Sequence, residues 1–248
     1  IAAFLSRQFL PPRFIHILIS LALIAVPTAL IIEQPDLGTS ILVLVSGMVV
    51  LFYAGLQWRY IILAIATLGA CLWPIWHYML HDYQQKRVLM LLDPESDPLG
   101  AGWNIIQSKT AIGSGGLDGK GWLEGTQSRL DFLPEGHTDF IIAVMSEEFG
   151  LLGVILLIIA YILVIARGMY IAINAQDSFG RLLAASISTT FFVYVFVNMG
   201  MVAGMLPVVG VPLPFISQGG TAIVALMSGF GILMAIATEQ KRVMAPQS

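Results

Sequence analysis

The sequence predicts an all-α membrane protein: a polytopic bundle of six transmembrane helices with one long loop outside the bilayer. Hydrophobic residues make up 57% of the 248 residues and charged residues only 11%, whereas a soluble domain carries about 25% charged residues. The mean hydropathy of +0.85 agrees. So few charges cannot cover a core of this size with a water-facing surface, and the net charge of −3 gives no indication of nucleic-acid binding.

Six stretches are apolar and long enough to cross a bilayer, which takes about 20 residues of helix. They cover residues 14–32, 40–56, 60–80, 140–166, 182–206 and 221–237. Pro27 and Pro74 fall within two of them, where neighbouring helices can satisfy the freed carbonyls. We therefore interpret residues 1–248 as one transmembrane domain. A single cysteine, Cys71, excludes a disulfide framework.

The basic residues predict the orientation of this domain. Connections on one side carry Arg7, Arg13, Arg59, Arg167, Arg181, Lys241 and Arg242. The short connections on the other side, residues 33–39 and 207–220, contain no Lys or Arg. The positive-inside rule therefore predicts a cytoplasmic C-terminus and an external loop at 82–138. Because the chain starts at Ile1 without a signal-peptide pattern, we expect it to begin inside a longer protein.

The external loop, residues 82–138, is predicted to be functional. Eight of the fifteen acidic residues lie in it, and residues 113–128 read GSGGLDGKGWLEGTQS. Glycines at this density allow a backbone to approach a ligand closely. The alternative is a flexible connector, but Trp103, Trp122, Phe132 and Leu133 are larger and more apolar than a solvated linker usually carries. We expect a loop without strong periodic structure that packs on itself or lies in the membrane interface.

Three acidic residues, Asp139, Glu147 and Glu148, fall at or within the fourth span. Charges at membrane depth are costly and invite a functional explanation. Asp139 is at the mouth of the span, as either a helix N-cap or a catalytic group. Glu147 is expected about 12 Å deeper, and we favour a buried structural partner for a group on a neighbouring helix over direct catalysis. His137 is interpreted as a positioning residue, because a lone histidine is a weak metal signal.

Two further polar segments are predicted on the same outer side. Residues 33–40, EQPDLGTS, are interpreted as a tight turn containing Asp36, with Pro35 and Gly38 as the turn formers. Residues 206–220, LPVVGVPLPFISQGG, end at the start of the last span. They form either an anion site at a helix N-terminus or an ordinary proline-rich turn. Asn198, within the fifth span, is interpreted as a helix–helix contact.

These segments together resemble the SEDS family (shape, elongation, division and sporulation). The resemblance is carried by four segments that follow one another along the chain: QPDLGTS (residues 34–40), RVLMLLDPESDPLGAGWNIIQSKTAIGSGGLDGKGWLEGTQSRLDFLPEGHTDFIIAVMSEEFG (residues 87–150), NMG (residues 198–200) and LPVVGVPLPFISQGG (residues 206–220). It covers essentially the whole chain and is closer to the rod-shape branch of the family than to its division branch.

The resemblance implies the C-terminal part of a ten-helix glycosyltransferase that polymerises lipid II into peptidoglycan in the bacterial inner membrane. It implies a class B penicillin-binding protein and the elongation complex as partners, and it implies that about four N-terminal helices, including a Pro-Ser-Glu segment and a nearby lysine, are missing. The family's H-T-D-F motif places its catalytic aspartate at Asp139. Two alternatives stay open: a lipid II flippase or transporter, and a non-catalytic scaffold for a transpeptidase.

Under this interpretation, Asp139 acts as the general base. The candidates for substrate binding are Arg87, Lys109, Ser217 and Gln218. Arg87 and Lys109 would stabilise the leaving pyrophosphate, although each could be an ordinary salt-bridge partner. The expected supporting residues are His137, Thr138, Glu147, Asp36 and Asn198. A divalent cation, Mg²⁺ or Mn²⁺, could share the task, but no ligand set in the sequence demonstrates one.

Overall fold

The computed structural model describes residues 1–34, 36–74, 76–77, 85, 88–89, 91, 93, 102–129, 133 and 136–239. This described part is helical and contains no strand, which confirms the predicted all-α membrane bundle. Its helices are α1 (Ala2–Ser6), α2 (Phe14–Ile32), α3 (Leu37–Tyr53), α4 (Trp58–Pro74), α5 (Trp103–Gly115), α6 (Thr126–Arg129), α7 (Ile141–Asn174), α8 (Ser178–Val202) and α9 (Gly220–Thr238).

Four of these helices, α2, α7, α8 and α9, are long and apolar enough to cross a membrane. Helices α3 and α4 are apolar but have 17 residues each. Helix α7 continues eight residues past the predicted end at 166. Helix α8 begins four residues before the predicted start, because Asp177 caps it by accepting a hydrogen bond from the Gly180 N–H at 2.9 Å.

Helices α7 and α8 pack against each other at the centre of the described structure. Helix α3 packs on α8, α2 on α3, α5 on α7, and α9 on both α7 and α8. The main core includes Phe140, Ala143, Phe191, Met201 and Leu213. By contrast, only 6% of the most apolar window of α9 is buried. An apolar helix surface that the protein does not bury requires an apolar solvent, as a bilayer provides.

Helix α7 is broken near its start. Gly150 has φ +63° and ψ −165°, which divides α7 into segments 141–149 and 151–174. A break of this kind frees carbonyls before it and N–H groups after it. The glycine-rich segment 116–121 pairs with them through four hydrogen bonds of 2.9–3.1 Å: Lys120 N–H to Glu147 O, Gly121 N–H to Glu148 O, Leu151 N–H to Gly116 O, and Leu152 N–H to Leu117 O.

The main described part of the loop 82–138, residues 102–129, is ordered. It contains the 13-residue helix α5, where we expected no strong periodic structure. The glycine-rich segment 116–121 brings the loop backbone against α7. Trp122 packs on Phe149 of α7 with ring centroids 5.6 Å apart and is 68% exposed. Exposure of a Trp beside an apolar helix is typical of a membrane interface.

Candidate active site at the start of helix α7

Asp139 is half-buried in the turn that leads into α7. Its Oδ2 atom faces Gly210, at 3.5 Å from the position that a Cβ would occupy there. The N-cap of α7 is Phe140, one residue later, and its side chain makes no capping hydrogen bond. The N-cap interpretation of Asp139 is therefore wrong: the chain turns before it enters the helix, and the carboxylate points towards the loop that carries Gly210.

Asn198 of α8 fixes the backbone of this turn. Its side chain is fully buried, and its Nδ2 donates to the carbonyl of Asp139 at 2.8 Å and to that of Val211 at 2.7 Å. Both acceptors are backbone carbonyls, which establishes the orientation of the amide. Asn198 thus makes a structural contact, as expected, but it joins α8 to two loop segments rather than to another helix.

Ser217 and Gln218 attach the proline-rich loop (residues 203–219) to the same turn. The Ser217 hydroxyl donates to the Thr138 carbonyl at 2.6 Å and accepts from the Leu213 N–H at 2.7 Å. The Gln218 N–H donates to the His137 carbonyl at 3.0 Å. With Asn198, these bonds hold the carbonyls of three consecutive residues, which pre-organises the turn.

The substrate-binding candidates differ in their surroundings. Ser217 is 4% exposed and uses its hydroxyl within the protein, so the geometry favours a positioning role. The side chains of Gln218 and His137 are exposed at the rim of the Asp139 turn. Lys109, on α5, is exposed and lies over Gly204, just beyond the end of α8. Arg87 lies outside the described residues.

The two outer polar segments, predicted separately, pack together. Asp36 is the N-cap of α3 and accepts a hydrogen bond from the Thr39 N–H at 3.0 Å. Gly38 lies within α3, so its interpretation as a turn former is wrong. Its Cα approaches the Val209 carbonyl of the proline-rich loop so closely that a side chain would overlap it. Asp36 therefore supports the site indirectly, by starting the helix on which this loop rests.

Glu147 is a buried acid with several partners. Its side chain is fully buried and forms an ion pair with Lys120 at 2.7 Å. The carboxylate also accepts from the Thr126 N–H at 2.8 Å, the Thr126 hydroxyl at 3.0 Å and the Gln127 N–H at 3.1 Å. The structural role that the sequence favours for Glu147 agrees with this geometry, but its partners come from the outer loop, including its short helix α6, and not from another membrane-spanning helix.

Sequence analysis missed Lys120, Thr126 and Gln127 as partners of Glu147. One signal was present in the sequence. Lys120 is a lone lysine within a run of glycines, and a buried acid elsewhere in the chain needs a cation. Among the described residues, no group of three or more His, Cys, Asp and Glu side chains could hold a metal ion. We therefore derive no step through the divalent cation that was expected as an option.

The class of protein follows from the bundle and its site: a polytopic membrane protein with a half-buried carboxylate held beside an ordered loop. A family model described as cell cycle protein, covering FtsW, RodA and SpoVE, matches residues 1–242. The chain belongs to this family, which confirms the resemblance to SEDS proteins.

Curated relatives have names that state an activity. The chain is 58% identical over 241 residues to the peptidoglycan glycosyltransferase MrdB of Escherichia coli K12, covering 97% of this chain and 65% of that protein. It is 41% identical over 224 residues to a probable peptidoglycan glycosyltransferase FtsW of Geobacter metallireducens, covering 89% of this chain and 58% of that protein. The chain thus spans about two thirds or less of the length of these relatives.

Solved structures share the fold. A chain from a peptidoglycan synthase complex, solved to explain how polymerization and crosslinking are coordinated, superposes with a TM-score of 0.79 at 30% identity, covering 96% of this chain and 67% of that one. The rod shape determining protein RodA of Thermus thermophilus superposes with a TM-score of 0.62 at 26% identity, covering 95% of this chain and 60% of that one.

Proposed function

We propose that the protein containing this chain polymerises lipid II into the glycan strands of peptidoglycan during cell elongation, with Asp139 as the general base. The observation that carries the proposal is the half-buried Asp139 carboxylate in a turn whose three successive carbonyls are hydrogen-bonded. The glycosyltransferase relatives support the reaction class. Since the chain spans 65% of the Escherichia coli relative, the activity is proposed for a longer protein.

The proposed chemistry requires a base and a cation. The acceptor 4-hydroxyl attacks the anomeric carbon of the donor sugar, the C–O bond to the lipid pyrophosphate breaks, and the configuration inverts. The Asp139 carboxylate takes the hydroxyl proton, while cationic side chains stabilise the departing pyrophosphate. Lys109 is exposed and makes no ion pair with any described residue, so its charge is available for this role. Gln218 and His137 would contact substrate at the rim.

Replacing Asp139 with asparagine tests this proposal. Asparagine preserves the shape of the side chain but cannot act as a base at neutral pH, so we expect lipid II polymerisation by the longer protein to fall at least about 100-fold. The assay is the yield of glycan strands from purified lipid II. The matched control is Asp118→Asn, an exposed loop aspartate, which should retain wild-type turnover. Near wild-type product from a well-folded Asp139→Asn protein would overturn the base assignment.

Ser217 and Gln218 allow positioning to be separated from binding. Ser217→Ala removes two hydrogen bonds that orient the turn, so we expect kcat to fall about tenfold with KM for lipid II nearly unchanged. Gln218→Ala should instead raise KM, because its exposed side chain would contact substrate. Steady-state kinetics of both variants provide the check. A raised KM with constant kcat for Ser217→Ala would restore Ser217 to the substrate-binding residues.

The two alternative functions predict different outcomes. A flippase or transporter requires a titratable group near the membrane midplane. Of the two acids predicted near that depth, Glu147 is bound by Lys120, Thr126 and Gln127, whereas Glu148 is buried and forms no ion pair with a described residue. This alternative would be favoured by two results together: the Asp139→Asn protein transports lipid II across the membrane of liposomes, and the wild-type protein does not polymerise it. A scaffold predicts normal growth of cells that carry Asp139→Asn.

The expected partner is a class B penicillin-binding protein within the elongation complex. The superposition with a chain of a peptidoglycan synthase complex supports a partner that performs crosslinking. We further propose that the protein is a multi-pass protein of the bacterial inner membrane, with a cytoplasmic C-terminus and a periplasmic loop 82–138. Labelling of single cysteines introduced at positions 118 and 176 with a membrane-impermeant reagent should modify only the former in intact spheroplasts.

A further inference from the structure

We propose that the groove between α7 and α9 binds one anionic phospholipid of the cytoplasmic leaflet, with an acyl chain in the groove and the lipid phosphate on the Arg167 guanidinium. This site is separate from the polymerase chemistry. It rests on the proposed topology for the choice of leaflet, and the cysteine labelling described above tests that topology independently.

The groove has the composition of a hydrocarbon site. Its volume is about 530 Å³, and its apolar walls are formed by Leu163, Val164 and Ile171 from α7 and by Phe230, Leu233 and Met234 from α9. Leu163 is 65% and Met234 68% exposed, so the groove opens towards the surrounding solvent. For helices of this apolarity the solvent is lipid, and a chain lying in the groove regains the dispersion contacts that an empty groove forfeits.

The dimensions of the groove match one leaflet. It runs along residues 163–171 of α7 and 230–238 of α9, which is about 12 Å on each helix. Half of the hydrocarbon core of a bilayer is about 15 Å thick. The groove ends close to the C-termini of both helices, where the side-chain amide of Gln176 donates to the Glu239 carbonyl at 2.5 Å. In the proposed topology this end faces the cytoplasm.

Arg167 provides the charge complementarity. It lines the groove, and its guanidinium lies 5.3 Å from the centre of the Tyr170 ring. In the part of the chain that the structure describes, it forms no ion pair and no hydrogen bond with a carboxylate. At the cytoplasmic end of a membrane-spanning helix, where the proposed topology places Arg167, an anionic headgroup can act as its counter-ion. Phosphate matches the planar fork of a guanidinium in two parallel hydrogen bonds, and the cytoplasmic leaflet is the anionic one.

The site predicts selectivity for lipid charge that depends on one side chain. The test uses the longer protein, purified in mild detergent, to which dioleoyl phosphatidylglycerol or dioleoyl phosphatidylethanolamine is added at matched concentration. Native mass spectrometry then counts the lipids retained per protein molecule. We expect one phosphatidylglycerol to be retained in preference to phosphatidylethanolamine. Arg167→Gln should weaken its retention at least about fivefold.

Two further variants separate the contribution of the apolar groove to lipid retention from that of the Arg167 charge. Ala237→Phe fills the groove from α9 without changing the charge, and it should also abolish the preferential retention. Arg181→Gln removes an exposed arginine at the start of α8, near the same end of the bundle, and should leave retention at the wild-type level. All variants are compared as monodisperse protein of equal thermal stability in lipid-free detergent.

Three results would overturn the proposal. The first is equal retention of both lipids by the wild type, which would mean that Arg167 extends into water without a bound lipid. The second is retention of phosphatidylglycerol that Arg167→Gln or Ala237→Phe leaves unchanged. The third is a different occupant of the groove in protein purified from cells. That occupant would be a polyprenyl phosphate, or a helix of the longer chain or of a partner, in place of a diacyl phospholipid.

Discussion

Replacing Lys120 with methionine is expected to lower the free energy of unfolding by about 3 kcal/mol or more, although Lys120 lies in a loop. The reason is the environment of its partner: Glu147 is fully buried, and its ion pair with Lys120 measures 2.7 Å. Removing one member of a buried pair leaves an uncompensated charge, at a cost of about 3–5 kcal/mol. The hydrogen bonds from Thr126 and Gln127 to Glu147 remain, so the expected loss of stability lies at the lower end of this range.

This expectation can be measured by denaturant unfolding in a mixed-micelle system, with Lys109→Met as the control. Lys109 is an exposed lysine on α5 without an ion pair among the described residues, so its loss should change stability by less than about 1 kcal/mol. The double variant Lys120→Met with Glu147→Gln should recover much of the loss, because no charge is then left unpaired. Equal stability of Lys120→Met and the control would show that the pair does not hold the loop.

Replacing Gly150 with alanine should be similarly damaging, at about 3 kcal/mol or more. Gly150 has φ +63°, a conformation that costs a residue with a side chain about 1–2 kcal/mol. A Cβ at this position would also overlap the Gly119 nitrogen and the Leu117 carbonyl. Because these are backbone atoms, the loop segment 116–121 would have to move as a unit and lose its hydrogen bonds to both sides of the break.

Gly231→Ala is the matched control for Gly150. Gly231 lies within α9, and no atom lies within 4 Å of the position that its Cβ would take, so alanine there should be neutral or stabilising by about 0.5–1 kcal/mol. Thermal unfolding and proteolysis within residues 116–125 would be compared between the two variants. If Gly150→Ala left the loop as resistant to protease as Gly231→Ala does, the break would not depend on glycine.

These two sites show why the outer loop matters to the proposed reaction. Helix α7 begins two residues after Asp139 and breaks nine residues later, and segment 116–121 spans the break. The loop therefore fixes the short helical segment 141–149 from one side, while Asn198 and Ser217 fix the turn before it from the other. The catalytic candidate is held by contacts on both of its flanks.

Sequence analysis anticipated some of this site and missed the rest for identifiable reasons. Asp139 was singled out because an acid at the mouth of an apolar span is rare, and its catalytic role was predicted from the family's H-T-D-F motif. Asn198 was noted because a polar residue deep in a span needs partners. The N-cap interpretation of Asp139 failed by one residue, since helix starts depend on local backbone turns that residue type alone leaves open. The Glu147–Lys120 pair joins residues 27 positions apart, far beyond the spacing of neighbours on one helix, so spacing carried no signal for it.

Composition and the distribution of basic residues were sufficient for the membrane class, the helical fold and the expected sidedness, because these depend on residue type averaged over long stretches. The ordered state of residues 102–129 in the outer loop was decided by the tertiary structure. Its glycines could have served a flexible linker or a ligand cradle equally well. They instead place N–H and C=O groups against those freed by the break at Gly150, and that match exists only once loop and helix are brought together in space.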